Sequence, residues 1–243
     1  MEKNLSRRVF TQHSELPFPD ADYKNRIKLS SLFRVFSDIA GDDYIDRGLD
    51  YDFLQQNDYV FLMSRLALKI HSYPKSKQKL TVSTWECMQK GAMFIRANEM
   101  TDEDGNVLVE GEAGWICVSI KEHKIYRPSD FRWLCEQVTD KPANIHIGRI
   151  PHCDEELSGE YIPKFTDIDM NGHVYNGIYG DIIQNSLSKE EFERGFSEVR
   201  INYLNEMTLG EKVSVFKSTD GDNVIIRGKD KDTVCFEFQG TFL

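Results

Sequence analysis

Long apolar runs, paired cysteine motifs and an excess of positive charge are all missing from this 243-residue sequence. The longest strictly apolar run, residues 59–63, is far short of the roughly 18 residues that suggest a membrane span. The five cysteines are widely spaced without a CxxC pair, which argues against a disulfide framework and a zinc ribbon. The net charge of -10 argues against a general nucleic-acid binder. We expect no membrane span, no nucleic-acid partner and no bound metal or cofactor.

The N-terminal segment also lacks a targeting signal. Residues 1–19 carry charged and polar side chains where a secretory signal needs an apolar stretch, and they lack the composition of an organelle transit peptide. The remaining composition, 40% hydrophobic and 29% charged, is typical of a globular chain. The sequence therefore predicts a cytoplasmic location.

One amphipathic helix followed by strands is predicted for the first half. Apolar residues recur at helical spacing from Ile27 to Ala40, and the pattern stops near Gly48. Alternating segments between residues 60 and 120 then predict strands, with a hairpin tip at residues 104–106. These elements indicate strands that wrap around one central helix.

The second half repeats this order, with a helix predicted over residues 174–187 and strands after it. Leu66 and Leu68 superpose on Val199 and Ile201 at one offset of 133 residues, which suggests a duplication, although any two alternating strands can be slid into register. Polar, proline and glycine residues between the halves predict a linker. The predicted organisation is a first unit over 1–130, a linker over 131–160 and a second unit over 161–243.

A polar segment precedes the second predicted helix, and it reads F-T-D-I-D-M-N-G-H-V-Y-N over residues 165–176. Asp169 or Asn171 could cap that helix, and the free amides of its first turn favour an anionic oxygen. A calcium loop fits the D-x-D-x-N-G opening, but Ile178 stands where the bidentate glutamate is required. A structural Asx-rich turn and an active site stay open on the residues alone.

The segment D-I-D-M-N-G-H-V-Y-N, followed by I-Y-G-D-I-I-Q-N-S, resembles the signature of acyl-acyl-carrier-protein (acyl-ACP) thioesterases, the plant plastid enzymes and their bacterial relatives. The first-half run that ends in G-E-A-G-W-I-C-V-S-I also resembles that family. The resemblance implies an α+β double (tandem) hotdog fold, in which an antiparallel sheet wraps a long helix in each unit. It implies an acyl-chain tunnel in the first unit, catalytic residues in the second, and hydrolysis of fatty acyl-ACP to free fatty acid in fatty acid biosynthesis.

The resemblance makes Asp169, Asn171 and His173 the catalytic Asp, Asn and His, and it places a fourth catalytic residue at Glu206. Met207 stands where many plant members have a cysteine, and a thioether excludes a Cys–His scheme. Tyr175 stands where the family often has asparagine.

Glu206 is expected to act as general base for water, or as a nucleophile that forms an acyl anhydride. His173 and Asn171 would orient the reacting groups, Asp169 would hold their hydrogen bonds, and the amides after Asn171 would bind the oxyanion. The first half has Arg26 and Ile27 where an Asn-x-His pair is needed, so only the second half is predicted to be catalytic.

Two other functions stay open: an enoyl-thioester hydratase or dehydratase, and a non-catalytic acyl-binding module. The complete Asp-Asn-His set with Glu206 favours the hydrolase. The expected partner is acyl carrier protein, and a homodimer is left open. The loop that carries Lys75, Lys77 and Lys79 is interpreted as a solvated hairpin tip or, more weakly, as a contact for that acidic partner. We interpret the three tryptophans as core or tunnel wall.

Overall fold

Antiparallel strands provide most of the regular structure in Ser6 and residues 8–243, the part of the chain that the computed structural model describes. Positions 1–5 and 7 of the predicted N-terminal segment and first unit lie outside it. Short 3₁₀ turns occupy Phe18–Asp20, Pro128–Asp130 and Phe165–Asp167. The helices and strands are, in chain order, β1 (Phe10–Glu15), α1 (Leu29–Asp46), α2 (Tyr51–Gln56), β2 (Val60–Ile70), β3 (Lys79–Glu86), β4 (Met93–Thr101), β5 (Val107–Val118), β6 (Ile125–Tyr126), β7 (Glu156–Tyr161), α3 (Ile178–Asn185), α4 (Lys189–Arg194), β8 (Phe196–Tyr203), β9 (Val213–Asp220), β10 (Asn223–Asp230) and β11 (Thr233–Phe242).

The strands of the described residues form one sheet in the order β1-β3-β4-β5-β2-β8-β11-β10-β9-β7, with β6 beside β5. Read outward from its centre, one side runs β2-β5-β4-β3-β1 and the other runs β8-β11-β10-β9-β7. Each half is therefore a strand, a helix and four more strands in the same arrangement. This confirms the predicted α+β tandem hotdog fold.

The two halves join where β2 pairs with β8. The register of this pair agrees with a duplication at an offset of 133 residues. Ala67 pairs with Arg200, which is its own counterpart at the offset of 133 residues. Leu66 pairs with Ile201, the counterpart of Leu68. Strands β2 and β8 are therefore equivalent strands of the two halves, and they run antiparallel with Ala67 opposite Arg200 at the centre. This arrangement relates the halves by an approximate twofold axis that passes between Ala67 and Arg200.

Helix α1 lies across the sheet of the first half with one apolar face buried. Leu32, Phe33, Phe36 and Ile39 are at most 2% exposed and belong to the main hydrophobic core. Burying each such side chain stabilises the fold by about 1.5–3 kcal/mol. The predicted helix is confirmed, beginning two residues after Ile27 because the preceding residue is still extended.

Helix α3 is shorter than predicted and packs against the start of α1. It begins at Ile178 rather than at 174. The two helices meet at Gly180, where an added Cβ would lie 2.3 Å from the backbone nitrogen of Ser30, so only glycine permits this approach. The side chain of Gln184 then accepts the backbone N–H of Leu29 at 2.9 Å. Among the described residues, no helix combines the length and apolar character needed to cross a membrane.

The segment between the halves packs along the outer face of the first sheet. Val138 and Ala143 are buried against Trp85, whose Nε1 donates to the carbonyl oxygen of Lys141 at 2.8 Å. The end of the predicted linker, 131–160, is strand β7. The division into units of 1–130 and 161–243 stays a prediction.

Candidate active site

The polar motif forms a closed turn in front of α3. Ile168 and Val174 pair as an isolated antiparallel bridge. Inside it, the backbone N–H of Asp169 donates to the carbonyl oxygen of His173 at 2.9 Å. Gly172 has φ +86°, a left-handed conformation that costs glycine little. These contacts therefore fix the position of the His173 backbone at the end of the turn.

The side chain of Asp169 completes this turn. Its Oδ1 accepts the backbone N–H of Asn171 at 2.8 Å and that of His173 at 3.5 Å. The N–H of Gly172 donates to the carbonyl oxygen of Asp169 at 3.0 Å. These amides are thus engaged within the turn, so the prediction that the amides after Asn171 bind an oxyanion is wrong for Gly172 and His173.

Neither Asp169 nor Asn171 caps α3, so that prediction is also wrong. The N-cap is Gly177, and no side chain of the described residues caps the helix there. The physical reason is the bridge, which keeps the chain extended through Val174 and delays the helix. The N–H of Tyr175 is also engaged, since it donates to the carbonyl oxygen of Asp167 at 2.8 Å.

The first half contains the same turn before α1. Ala21 and Ile27 form the equivalent bridge. The N–H of Asp22 donates to the carbonyl oxygen of Arg26 at 2.7 Å. The Oδ1 atom of Asp22 accepts the N–H groups of Lys24 and Arg26 at 2.8 and 2.9 Å. The turn is repeated in both halves, but the Asn-x-His pair is present only in the second.

The fold brings Glu206 against His173, although 33 residues separate them. His173 Nε2 lies 2.9 Å from Glu206 Oε2, and the side chains are 31% and 54% exposed. The backbone N–H of Val174 donates to the carbonyl oxygen of Met207 at 2.9 Å, which clamps the turn to the segment after β8. Carboxylate and imidazole therefore share a proton-transfer contact that water can reach.

Met207, the residue after Glu206, points the other way. It is fully buried and belongs to the main core. The buried side chain of Met207 therefore anchors the segment that carries Glu206 to the core.

A cavity of about 440 Å³ collects all four predicted site residues. Asp169, Asn171, His173 and Glu206 line it from the second half. The first half contributes the opposite wall with Ser37, Phe61, Leu62, Met63, Ser64, Trp115 and Ile116. Trp115, which we interpret from the sequence as core or tunnel wall, lies in this wall.

Asn176, the last residue of the polar segment over 165–176, also lines the cavity but is not among the residues predicted from the sequence. Its Nδ2 donates to Ser37 Oγ at 3.0 Å, and Tyr203 Oη donates to its carbonyl oxygen at 3.2 Å. Its Oδ1 is buried without a hydrogen-bond partner among the described residues, as is Nε1 of Trp115. Two residues that line the cavity thus each carry a buried polar atom without a partner among the described residues.

Tyr175 ties the turn to α1. Its hydroxyl donates to Asp38 Oδ1 at 2.8 Å. Burial, followed by the charge of Asp38, raises the pKa of Tyr175, so the phenol stays protonated. Burial also raises the pKa of Asp38, although the Tyr175 hydrogen bond opposes this shift.

A second cavity of about 500 Å³ adjoins the first beneath the C-terminal part of α1. The two share Ser37, Phe61, Trp115 and Asn171. The walls of the second cavity come from the first half apart from Asn171, and they include the aromatic side chains of Tyr44, Tyr59 and Phe94. The two cavities are therefore neighbours on the same side of the sheet as α1.

The lysine loop lies at the far end of β2 from these cavities. Residues 61–64 at the start of β2 line the first cavity, whereas the loop follows Ile70, about 20 Å further along the strand. Lys77 and Lys79 form exposed ion pairs with Glu15 and Glu103. The loop therefore lies far from the mouth of the site, and the hairpin-tip interpretation is the simpler one.

Two family profiles match this chain. The acyl-ACP thioesterase N-terminal domain matches residues 7–131, and the acyl-ACP thioesterase C-terminal domain matches residues 151–235. The chain belongs to the acyl-ACP thioesterase family. The matched regions cover both halves of the sheet and contain all four predicted site residues.

Curated relatives in this thioesterase family come from plants. The chloroplastic oleoyl-acyl carrier protein thioesterase 2 of Arabidopsis thaliana is 18% identical over 182 residues, 69% of this chain and 49% of its own length. The chloroplastic palmitoyl-acyl carrier protein thioesterase of Cuphea hookeriana is 22% identical over 150 residues, 58% of this chain and 36% of its own length. The matches thus span half or less of these relatives.

A solved structure from the same family shares the fold. The crystal structure of an acyl-ACP thioesterase from Bacteroides thetaiotaomicron superposes with a TM-score of 0.87 at 21% identity. The superposition covers 97% of this chain and 98% of that chain. Both hotdog units are therefore present in the bacterial relative.

Proposed function

We propose that this protein hydrolyses the thioester of fatty acyl-ACP and releases free fatty acid and holo-ACP in fatty acid biosynthesis. The observation that carries the proposal is the 2.9 Å contact between His173 and Glu206 in a cavity also lined by Asp169 and Asn171. Membership of the acyl-ACP thioesterase family supports the substrate class. The second half would supply the chemistry, and the first half would hold the acyl chain.

In the general-base route, the Glu206 carboxylate takes a proton from water as the water oxygen attacks the thioester carbon. The proton then reaches the departing thiolate through His173, which contacts Glu206 directly. In the nucleophilic route, Glu206 attacks the carbon, the thiolate leaves, and water hydrolyses the acyl anhydride. Single turnover in heavy-oxygen water distinguishes the routes, because only the anhydride route places label in Glu206.

The negative oxygen of the tetrahedral intermediate needs donors other than the turn amides. The side-chain oxygen of Asn171 is 3.5 Å from the hydroxyl of Tyr51, which leaves its NH₂ group to donate. This NH₂ group lies on a residue that lines the cavity and would stabilise the oxyanion, an effect worth about 10²–10³ in kcat per donor. Asp169 would act through the turn, by holding Asn171 and His173 in place.

The test is thiol release from a panel of acyl-ACP thioesters by the wild type and by Glu206→Gln. The amide keeps the shape of the carboxylate and still accepts from His173, but it neither takes a proton nor attacks. We expect kcat/KM to fall by about 10²–10⁴-fold. Glu103→Gln, at an exposed glutamate that pairs with Lys79, is the matched control and should retain activity.

No release from any chain length by the wild type would contradict the proposal and would favour a hydratase or an acyl-binding module. The same panel on coenzyme A reports the preferred carrier. A cytoplasmic location stays a prediction, to be tested by fractionation, and a homodimer stays open, to be tested by sedimentation.

A further inference from the structure

Gly41 is the only glycine within helix α1, and it lines the second cavity. It lies in the interior of the helix, five residues before the last one, Asp46. A glycine in a helix interior lowers stability relative to alanine, because it loses more backbone freedom on folding. Glycine at this position is therefore unfavourable for the helix itself.

Neither the backbone nor the packing of α1 requires glycine at position 41. Gly41 does not have the positive φ that Gly172 has. An added Cβ would meet no heavy atom within 4 Å, apart from its chain neighbours and the adjacent helix backbone. At Gly180, by contrast, an added Cβ would clash with α1. The missing side chain of Gly41 thus leaves open space rather than a close contact.

This open space belongs to the second cavity. Ser37 and Ile45, four residues before and after Gly41, line the same cavity. Since residues four apart lie on one face of a helix, a side chain at position 41 would project between those of Ser37 and Ile45. Ile45 is 58% exposed, so this face of α1 forms the open side of the cavity. A larger side chain at position 41 would narrow the cavity there.

Gly41 lies beyond the first cavity as seen from the candidate active site. Ser37 and Asn171 line both cavities, whereas Gly41 lines only the second. Gly41 is four residues further along α1 than Ser37, a rise of about 6 Å. Tyr44 and Phe94 contribute aromatic surface to the second cavity, on which saturated methylenes can leave water. An acyl group with its thioester near Asn171 would reach Gly41 only with the part of the chain remote from the thioester.

We propose that long-chain acyl groups bind across Gly41, with the methylenes remote from the thioester in the second cavity. The absence of a side chain at position 41 admits these methylenes, so Gly41 is a specificity-determining residue. Short acyl groups end in the first cavity and do not meet it. This inference rests on the proposed thioesterase function, because it names the length class of acyl group that the same site takes.

The test compares kcat/KM for hexadecanoyl-ACP with kcat/KM for octanoyl-ACP. In Gly41→Leu we expect the long-to-short ratio to fall by about tenfold or more, because even one methylene that a pocket cannot accommodate has an effect of about this size. Gly41→Ala should change the ratio less and should raise the melting temperature, which would show that the fold does not need glycine here. Glu190→Leu, at an exposed position of α4 that lines neither cavity, is the matched control and should leave the ratio unchanged.

An unchanged ratio in Gly41→Leu would overturn the inference. A wild type that cleaves octanoyl-ACP but not hexadecanoyl-ACP would overturn it as well, whether or not Gly41→Leu folds.

Gly41→Cys gives a reversible form of the test with only a small side chain at position 41. Reaction with an alkyl methanethiosulfonate then attaches an alkyl group there through a disulfide. We expect labelling to abolish most of the activity on hexadecanoyl-ACP, to spare octanoyl-ACP, and to be reversed by a reductant. The wild type treated in the same way is the control, because its Cys87 and Cys153 are partly exposed. An equal loss for both thioesters would count against the proposal.

Calorimetric binding of free hexadecanoic and octanoic acids separates this inference from the proposed function. Weaker binding of hexadecanoic acid alone in Gly41→Leu supports the acyl site even where no thioester is cleaved. Cleavage of both thioesters, with the same preference and the same binding in the wild type and in Gly41→Leu, would keep the hydrolase and remove the role of Gly41.

Discussion

The turns before α1 and α3 share one pattern of backbone hydrogen bonds, but their side chains make different contacts. Residues 21–27 and 168–174 are each closed by one bridge, and Asp22 and Asp169 each accept two amides two and four residues ahead. The first turn has no Asn-x-His pair, and its aspartate holds the turn and also pairs through Oδ2 with Arg26 at 3.0 Å. The comparison indicates that Asp169 can belong to the candidate active-site motif because it builds the turn.

The side chains that leave the two turns differ. His173 meets Glu206, whereas Arg26 stands in its place in the first half. Tyr73, 133 positions before Glu206, offers its ring to the Arg26 guanidinium at 5.2 Å. Arg26 also donates to the carbonyl oxygen of Phe192 at 2.8 Å, which ties the turn to α4. One copy of the turn thus anchors the fold, and the other presents an acid–base pair.

The largest expected effect comes from giving the second turn the residue of the first. His173→Arg should lower kcat/KM on acyl-ACP by about 10²–10⁴-fold, because a guanidinium stays protonated and cannot exchange protons with Glu206. Thiol release measures it. Arg26→His is the reciprocal control, and we expect it to leave the catalytic rate unchanged. Full activity in His173→Arg would mean that the two turns differ for another reason.

Both aspartates should contribute to stability, but only Asp169 should contribute to activity. Asp22→Ala and Asp169→Ala should each lower the free energy of unfolding by about 1–3 kcal/mol, because each leaves two amides without their acceptor. Asp22→Ala should have the larger effect, because it also removes the ion pair with Arg26. Only Asp169→Ala should lower kcat, since it releases His173. Urea unfolding and kinetics measure the two effects. Asp169→Asn keeps an acceptor and should restore both; an inactive but stable Asp169→Asn would instead assign the charge a catalytic role.

The left-handed position in the turn offers a finer comparison. Gly172 has φ +86°, and the first turn has Asn25 there at φ 56°. Gly172→Asn should therefore cost less than about 1 kcal/mol, while Gly172→Val should cost about 1–3 kcal/mol, because a β-branched residue is strained at positive φ. Thermal unfolding would decide, and equal melting temperatures for the two variants would contradict this view of the turn.

The smallest expected effect concerns the link from the second turn to α1. Tyr175→Phe removes the hydrogen bond to Asp38 and should cost about 1 kcal/mol at neutral pH. That bond favours the ionised carboxyl, whose pKa burial raises. The deficit should therefore be full where Asp38 is ionised and should shrink as the pH falls through the raised pKa of Asp38. Unfolding measured across pH checks this, and a deficit that grows in acid would refute it.

Much of the site was predictable from residues that are close in sequence. Asp169, Asn171 and His173 lie within one short motif, and the resemblance added Glu206 from a strand end. Three features were not predictable: the delayed start of α3, the hydrogen bonds that use up the turn amides, and the first-half wall of the cavity. Each depends on a bridge or a strand pairing between segments that the sequence does not show to be neighbours.

The sequence by itself determined most of the strands and helix α1. Alternation of apolar residues specifies the strands and the helical repeat specifies α1, because both depend on which face of a short segment can leave water. The pairing of β2 with β8, the 2.9 Å approach of His173 to Glu206 and the burial of Met207 were decided only by the tertiary structure. These features require distant segments to meet, and where they meet is set by the packing of the whole sheet around its helices.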